Sequence, residues 1–483
     1  MTPPLHEITV AEAGRRFRAK SLSPVELTQA YLERIEAIDP FLNAFIEVTA
    51  DRALAEAKQA QDALSSGRDL GPMQGIPYGL KDIYETAGLR TTAHSRLLAD
   101  HVPARDCTVQ AKLRAGGGVL LGKQSTWEFA LGGPSFDLPW PPARNPWDLG
   151  RSPLGSSSGA GASIAAGLCP AATGSDTGGS IRMPAAACGI AGLKPTYGLV
   201  SRRGVLPNSY SYDHCGPMAW TSEDCALMLG VMAGHDPGDP GSLDVPPSDY
   251  AAALGQSVKG LRIGVIRDWY ETEARAEPAV IAAMDEALRV FACLGCRVSD
   301  ATLPSLRTFS DAKTPITLSE LYALHEGDLK TRPELFGRSL RYRVLAGALV
   351  RAEDYIQALR WRAELTAETL AVLADVDLLV TAGALTAAPP LEPDEPPTFL
   401  GATVPSITAP FNTTGLPTLA LPSGYDAAGM PVGMQIAGRP LDEGRVLALG
   451  HAYEIATRGA RRRPDLSGVA RAEIDGRRRV AAQ

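Results

Sequence analysis

Apolar residues recur at helical spacing near the N-terminus, where Leu27, Ala30, Tyr31, Ile35 and Ile38 form one stripe. Ser23 stands at the N-cap position, Pro24 suits the first helical residue, and Glu26 closes a capping box. The spacing predicts a helix that stops before Pro40 and a second, alanine-rich helix over 44–64. Short apolar runs between glycines then predict buried strands over 75–82 and 119–122, with a helix over 106–115 before the latter. Further along, the pattern predicts a strand over 261–266, a helix over 277–294 stopped by Gly295, a mostly helical span over 320–374, and a buried strand over 376–380. Helices alternating with short buried strands predict an α/β fold, with a large mixed, mostly parallel β-sheet covered on both faces by α-helices.

Composition narrows the function classes. The 483 residues are 45% hydrophobic and 21% charged, as expected of a globular protein with a large core. A net charge of −7 argues against a nucleic-acid surface, which needs a basic footprint. Seven cysteines are an odd number, and only Cys293 and Cys296 are closely spaced. With no second pair, buried thiols explain them better than zinc. The first residues lack a basic segment followed by an apolar one, and no run reaches membrane-span length, so a cytoplasmic location is expected. Proline-rich stretches at 236–247 and 389–397 read as surface or pocket-rim loops. Arginine clusters at 461–463 and 477–479 read as a solvated tail, with an interaction patch as the alternative.

The chemistry concentrates in residues 155–182, where serines and glycines are dense at both ends of a run of tiny residues. Alone, Gly155-Ser156-Ser157-Ser158-Gly159 matches the G-x-S-x-G elbow of α/β-hydrolases, with His325 or His451 as formal partners. The approach over 144–154 is proline-rich and polar, however, where an elbow follows a strand of branched residues. Thr177-Gly178-Gly179-Ser180 is the sharper signal: glycines before a serine let consecutive N–H groups converge into a nest that could hold an oxyanion beside Ser180. Read alone, this tetrapeptide is equally a plain turn. A serine nucleophile needs a base. Lysines are scarce, nine among 47 basic residues, and Lys81 lies in the apolar strand over 75–82. Burial there would lower its pKa toward a useful value, although pairing with Asp82 or a solvent-directed head group is the alternative.

These segments together resemble the amidase signature family. The likeness is carried by Gly75-Ile-Pro-Tyr-Gly-Leu-Lys81-Asp82, by Gly155-Ser156-Ser157, and by Gly174-Ser-Asp176-Thr-Gly-Gly-Ser180-Ile-Arg182-Met-Pro-Ala. It continues through Cys188-Gly-Ile-Ala-Gly-Leu-Lys-Pro-Thr-Tyr-Gly198, Asn412-Thr-Thr-Gly415-Leu-Pro417 and Gly433-Met-Gln435, and spans about residues 7–455. The resemblance implies a single domain over 1–483, with 7–65 an N-terminal helical segment and 460–483 a basic C-terminal tail. It also implies a Ser-cisSer-Lys triad, with Ser180 as nucleophile, Ser156 as proton relay after a cis bond from Gly155, and Lys81 as the base. Thr177, Gly178, Gly179 and Ser180 would supply the oxyanion hole, with Ser157, Asp176 and Arg182 in support. Leu154 and Ser158 stand where relatives usually carry glycine.

The family cleaves amide C–N bonds, and some members accept esters or carbamates. The glutamine-hydrolysing chains of tRNA-dependent amidotransferases belong to it, and Arg362 matches their glutamine-recognising arginine. Pro405 replaces their aspartate, which favours a stand-alone hydrolase of aryl or acyl amides or of urethane-type carbamates. Trp127, Phe129, Tyr210 and Tyr212 are candidates for an aryl or acyl pocket. The expected partner is a small amide or carbamate, with no nucleic acid, membrane, metal or cofactor; a homodimer is compatible with this reading. An inactive homologue is the third class, disfavoured because every catalytic position is filled.

Overall fold

The structure, a computed structural model, describes residues 4–392 and 405–468. In chain order it begins with α1 (Val10–Arg18), α2 (Pro24–Leu42), β1 (Phe45–Val48), α3 (Ala50–Ser65), β2 (Pro77–Lys81), α4 (Thr108–Ala115) and β3 (Val119–Gln124). The central elements are α5 (Ser158–Ala165), β4 (Ala171–Asp176), α6 (Arg182–Cys188), β5 (Ala191–Lys194), β6 (His214–Ala219), α7 (Ser222–Met232) and α8 (Tyr250–Ala253). There follow β7 (Arg262–Val265), α9 (Pro278–Cys293), β8 (Arg297–Asp300), α10 (Leu306–Thr331), α11 (Arg338–Val344), α12 (Ala352–Asp375) and β9 (Leu378–Ala382). The last elements are α13 (Ala409–Thr413), β10 (Thr418–Tyr425), β11 (Pro431–Ala437) and α14 (Glu443–Ala456).

One sheet joins eleven strands in the order β1-β3-β2-β4-β6-β5-β10-β11-β9-β7-β8. Every residue of β2, β3, β4, β5, β6, β9 and β11 is buried. Successive side chains on a strand point to opposite faces, so burial of all of them means helices cover both faces. The sheet is mixed as expected, but less parallel: among the described residues β2 pairs in parallel with β3 and β4, and β7 with β8 and β9, whereas the other six pairings are antiparallel. Short returns account for the difference. A tight turn joins β10 to β11, where Asp426 accepts the N–H of Met430, and no crossover helix intervenes.

Several elements depart from the sequence expectation for local reasons. Helix α2 starts as expected, with Ser23 Oγ accepting the N–H of Glu26, but runs through Pro40 to Leu42. It ends where Asn43 turns left-handed and the Asp39 carboxylate accepts the N–H groups of Ala44 and Phe45. The predicted helix over 44–64 is a short edge strand, β1, followed by α3, because residues 45–48 pair antiparallel with β3. The helical span predicted over 320–374 is three helices, the first beginning at Leu306 with Ser305 as its cap; Pro333 and Gly337 fall in the break after it. Arg461 and Arg463 do not fray: both lie over the Trp220 ring, at 4.2 and 3.7 Å, and Arg461 pairs with Glu454. The cluster at 477–479 and the stretch 393–397 lie outside the described residues. Six of the seven cysteines are buried, Cys293 being exposed.

Candidate active site

Three neighbouring segments of the sheet and its helices build the site. Lys81 ends β2, Ser156 and Ser157 lead into α5, and Ser180 lies on the turn between β4 and α6. Helix α5 can approach closely because Gly159 has no side chain: a Cβ there would stand 2.3 Å from the Ala44 carbonyl oxygen. The peptide bond between Gly155 and Ser156 is cis, at the position the resemblance implied. Leu154, at a position where the resemblance implied glycine, adopts a left-handed backbone with φ +56°.

Lys81 is fully buried, and its Nζ is surrounded by hydroxyls instead of carboxylates. Nζ lies within hydrogen-bond distance of Ser156 Oγ at 2.7 Å, Ser175 Oγ at 2.8 Å and Ser157 Oγ at 3.0 Å. The nearby Asp82 is engaged elsewhere, by Lys123 and by the N–H of Thr92. Burial pushes the Lys81 amine down from 10.5 to about 7, with the charges of Asp176 and Asp213 opposing the shift. Ser157 is fixed by its own bonds: its Oγ donates to the Ser175 carbonyl and accepts the Ser175 N–H. Its single proton is therefore spent, and toward Lys81 it acts as an acceptor. Ser175, to which the sequence pattern assigned no role, completes the cage.

The turn carrying Ser180 is braced from below. Asp176 accepts the N–H groups of Gly179 and Ile181 and a two-point contact from Arg182, whose Nη1 reaches the Thr408 carbonyl and Gln435 Oε1. Asn412 Nδ2 also donates to Asp176. Gly179 takes φ +127°, and a Cβ on it would meet Thr408 Oγ1 at 2.3 Å, so only glycine fits this position. Ser180 is 7% exposed, and its Oγ has no hydrogen-bond partner among the described residues. The N–H groups of Thr177, Gly178 and Ser180 are likewise unclaimed, whereas that of Gly179 is committed to Asp176. Thr177 Oγ1 donates to Asp213, which also accepts the N–H groups of Asn208 and Ser209. Burial raises the Asp213 carboxyl to about 6. A cavity of about 190 Å³ is lined by Ser175, Asp213, Cys215, Leu206 and Tyr210; it touches the Lys81 cage through Ser175, and Ser180 is not among its lining residues.

The four aromatic candidates do not gather. The Trp127 indole lies against Gly155, and its backbone N–H donates to the Ser156 carbonyl. Phe129 is buried against His325 and Phe336. Tyr212 is buried against Ile316 and Ala358, under the Arg362 guanidinium at 4.2 Å. Tyr210 is exposed and stacks on Arg202. Neither His325 nor His451 shares a hydrogen bond with Ser157, which leaves the elbow reading without its base. Among the described residues no cluster of three or more metal-ligating side chains occurs, and no helix is long and apolar enough to cross a membrane.

Comparison with known proteins identifies the family. A family model described as Amidase matches residues 26–447. The chain is 40% identical to the A subunit of glutamyl-tRNA(Gln) amidotransferase from Chloroflexus aggregans, covering 96% of this chain and 99% of that protein. Among solved structures it is similar to a peptide amidase from Stenotrophomonas maltophilia, with 33% identity and a TM-score of 0.82 over 96% of this chain and 99% of the other. It is also similar to a bacterial aryl acylamidase, with 27% identity and a TM-score of 0.85 over 94% and 97% of the two chains. Sequence and fold coincide with these proteins over nearly the whole chain, and the chain belongs to the amidase signature family.

Proposed function

We propose that this enzyme hydrolyses a linear carbonyl C–N bond through an acyl group carried on Ser180. Ser180 Oγ attacks the carbonyl carbon as its proton passes to Ser156 Oγ, and the Ser156 proton passes to Lys81 Nζ. The oxyanion meets the unclaimed N–H groups of Thr177, Gly178 and Ser180. Collapse breaks the C–N bond, and the proton held by Lys81 returns through Ser156 to the leaving amine. Water then attacks the acyl group by the same route in reverse, releasing the acid. One observation carries the reading: a buried amine stands 2.7 Å from Ser156 Oγ, and burial outweighs the charges of Asp176 and Asp213 that would hold it protonated. A neutral amine has two N–H donors and one lone pair, so one of its three hydroxyl contacts is free to deliver a proton to it.

The machinery acts on the carbonyl, so the class of substrate is a small linear amide, with esters and carbamates open to the same attack. A stand-alone amidase is the first reading, because Pro405 stands seven residues before Asn412, where the glutamine-hydrolysing amidotransferase chains carry aspartate. The 40% identity to one of those chains supports a second reading, glutamine hydrolysis within a tRNA-dependent complex. Assay of the purified chain on anilides and on glutamine separates the two, together with mass mapping of a phosphonyl fluoride adduct. The first reading expects anilide turnover by the chain alone, an adduct on Ser180, and loss of roughly 10⁶ in kcat for Ser180→Ala. Glutaminase activity that appears only with added partner proteins and tRNA would favour the second, and an adduct elsewhere would remove the nucleophile assignment.

A further inference from the structure

Lys313, on α10, reaches the turn that carries the proposed nucleophile. An ideal Cβ built on Gly178 would lie 3.0 Å from Lys313 Cε and 3.1 Å from its Nζ. The ammonium therefore occupies the space that a side chain at residue 178 would fill, directly beside an unclaimed N–H of the proposed oxyanion hole. Among the described residues Nζ has neither an ion pair nor a hydrogen bond.

Among the described residues, the carboxylates that act on it are already taken. Asp176 is held by Arg182 and Asn412. Asp213 is held by Thr177 Oγ1 and the N–H groups of Asn208 and Ser209. On the same helix, Asp311 pairs with Arg307, and Glu320 accepts from Ser209, Ser211 and Tyr355. Arg362, on α12, is spent on the Tyr212 face and the Thr413 carbonyl. Burial lowers the Lys313 amine to about 8 with Asp176 and Asp213 opposing, which leaves it mostly charged at neutral pH. A partly desolvated positive charge without a partner among the described residues, beside the proposed reacting centre, is strained unless the substrate brings the counter-charge.

We propose that Lys313 is a specificity-determining residue that pairs with a carboxylate on the substrate, so that the enzyme acts on short amides bearing a negative charge a few bonds from the scissile carbonyl. Monoamides of dicarboxylic acids are the simplest members of that class. The proposal rests on the acyl-serine reading above and adds a charge requirement to it.

The test compares succinamate and glutaramate with the neutral amides of equal chain length, butyramide and valeramide. The wild-type enzyme is expected to favour the anionic partner by at least about tenfold in kcat/KM. Lys313→Met should lower kcat/KM for the anionic amides by roughly 10–100-fold, as for one charge-assisted hydrogen bond, and at least tenfold more than for the neutral amides. Lys313→Arg should keep more of the preference than Lys313→Met. Equal losses on both classes would assign Lys313 to the oxyanion alone and overturn the proposal, as would a wild-type preference for the neutral amides. Protection supplies a readout independent of turnover: glutarate should slow phosphonyl fluoride labelling of Ser180 in the wild type and less so in Lys313→Met. Labelling of Ser180 without such protection overturns the charge requirement while the hydrolase reading stands. Failure to label Ser180 at all removes both.

Discussion

Asp176 and Arg182 meet in a fully buried two-point ion pair beneath Ser180, with Nε 3.0 Å from Oδ2 and Nη2 3.0 Å from Oδ1. The same guanidinium reaches Thr408 and Gln435, so one side chain ties β4, the segment before α13, and β11 to the turn that carries Ser180. Burial alone would raise the Asp176 carboxyl, but the charge and hydrogen bonds of Arg182, with Lys194 and Asn412, outweigh it and hold the carboxyl well below the usual range.

Removing one partner strands the other. Arg182→Met is expected to lower stability by about 3–5 kcal/mol, the range for breaking a buried pair from one side. Urea unfolding followed by circular dichroism measures it, and a loss under about 1 kcal/mol would show that the pair does not brace the turn. The sign with pH follows from the depressed carboxyl. The Asp176 contribution is present above its ordinary value of 3.8 and is lost as pH falls below that toward the native value. The wild type should therefore lose stability on acidification below about pH 4 faster than an Asp176→Asn, Arg182→Met double variant, which has no such group to protonate.

Lys81 gives the kinetic counterpart. As the proposed base it must be neutral, so kcat/KM should rise as pH increases through about 7, where the buried amine loses its proton. Lys81→Ala should cost roughly 10²–10⁴-fold at pH 7 and recover part of the rate in alkaline buffer, where hydroxide replaces the base. A variant with wild-type kinetics and an unchanged pH profile would remove Lys81 from the proton route.

The same amine leaves a signature in stability. Its native value of about 7 lies below the ordinary 10.5, so between these limits the unfolded chain binds a proton that the native protein lacks. Stability then rises with pH across this window for the wild type, and this component is absent from Lys81→Met. Whatever offset the lost hydroxyl contacts introduce, Tm of the wild type minus Tm of Lys81→Met should increase from pH 7 to pH 10. Thermal unfolding at four or five pH values checks it; a flat difference would mean that the amine titrates alike in both states.

Where a local rule dictated the structure, the sequence could be read directly. The cap at Ser23, the strand ending at Lys81 and the helix stopped before Gly295 are of this kind. The convergence of Lys81 on Ser156, 75 residues away, was legible only through resemblance, because no periodicity encodes which strand end faces which loop. Edge strand β1 was hidden by its four-residue length beside an alanine-rich helix, and its pairing with β3 is what decides it. The aromatic positions scattered because nearness in sequence does not fix where a side chain in a turn points: Tyr212 is buried while Tyr210, two residues before it, is exposed. Lys313 carried no signal of its own. Its position depends on where α10 crosses the turn that carries Ser180, and the missing side chain at Gly178 makes room for it.

Gly155 and Trp127 offer a last test, of positioning instead of chemistry. A Cβ on Gly155 would fall 2.4 Å from Trp127 Cε2 and 2.6 Å from its Nε1, distances that real Cβ atoms do not show. The Trp127 N–H also donates to the Ser156 carbonyl, so an indole pushed off Gly155 drags the proposed relay with it. Gly155→Ala is expected to lower kcat by about 10²-fold, the penalty for displacing a reacting group by about an ångström, with a smaller effect on KM. Trp127→Ala in the same chain removes the clash and should restore part of kcat, whereas independent effects would multiply. A four-member cycle of kcat values decides it: coupling below about 0.5 kcal/mol would mean that the indole does not position Ser156.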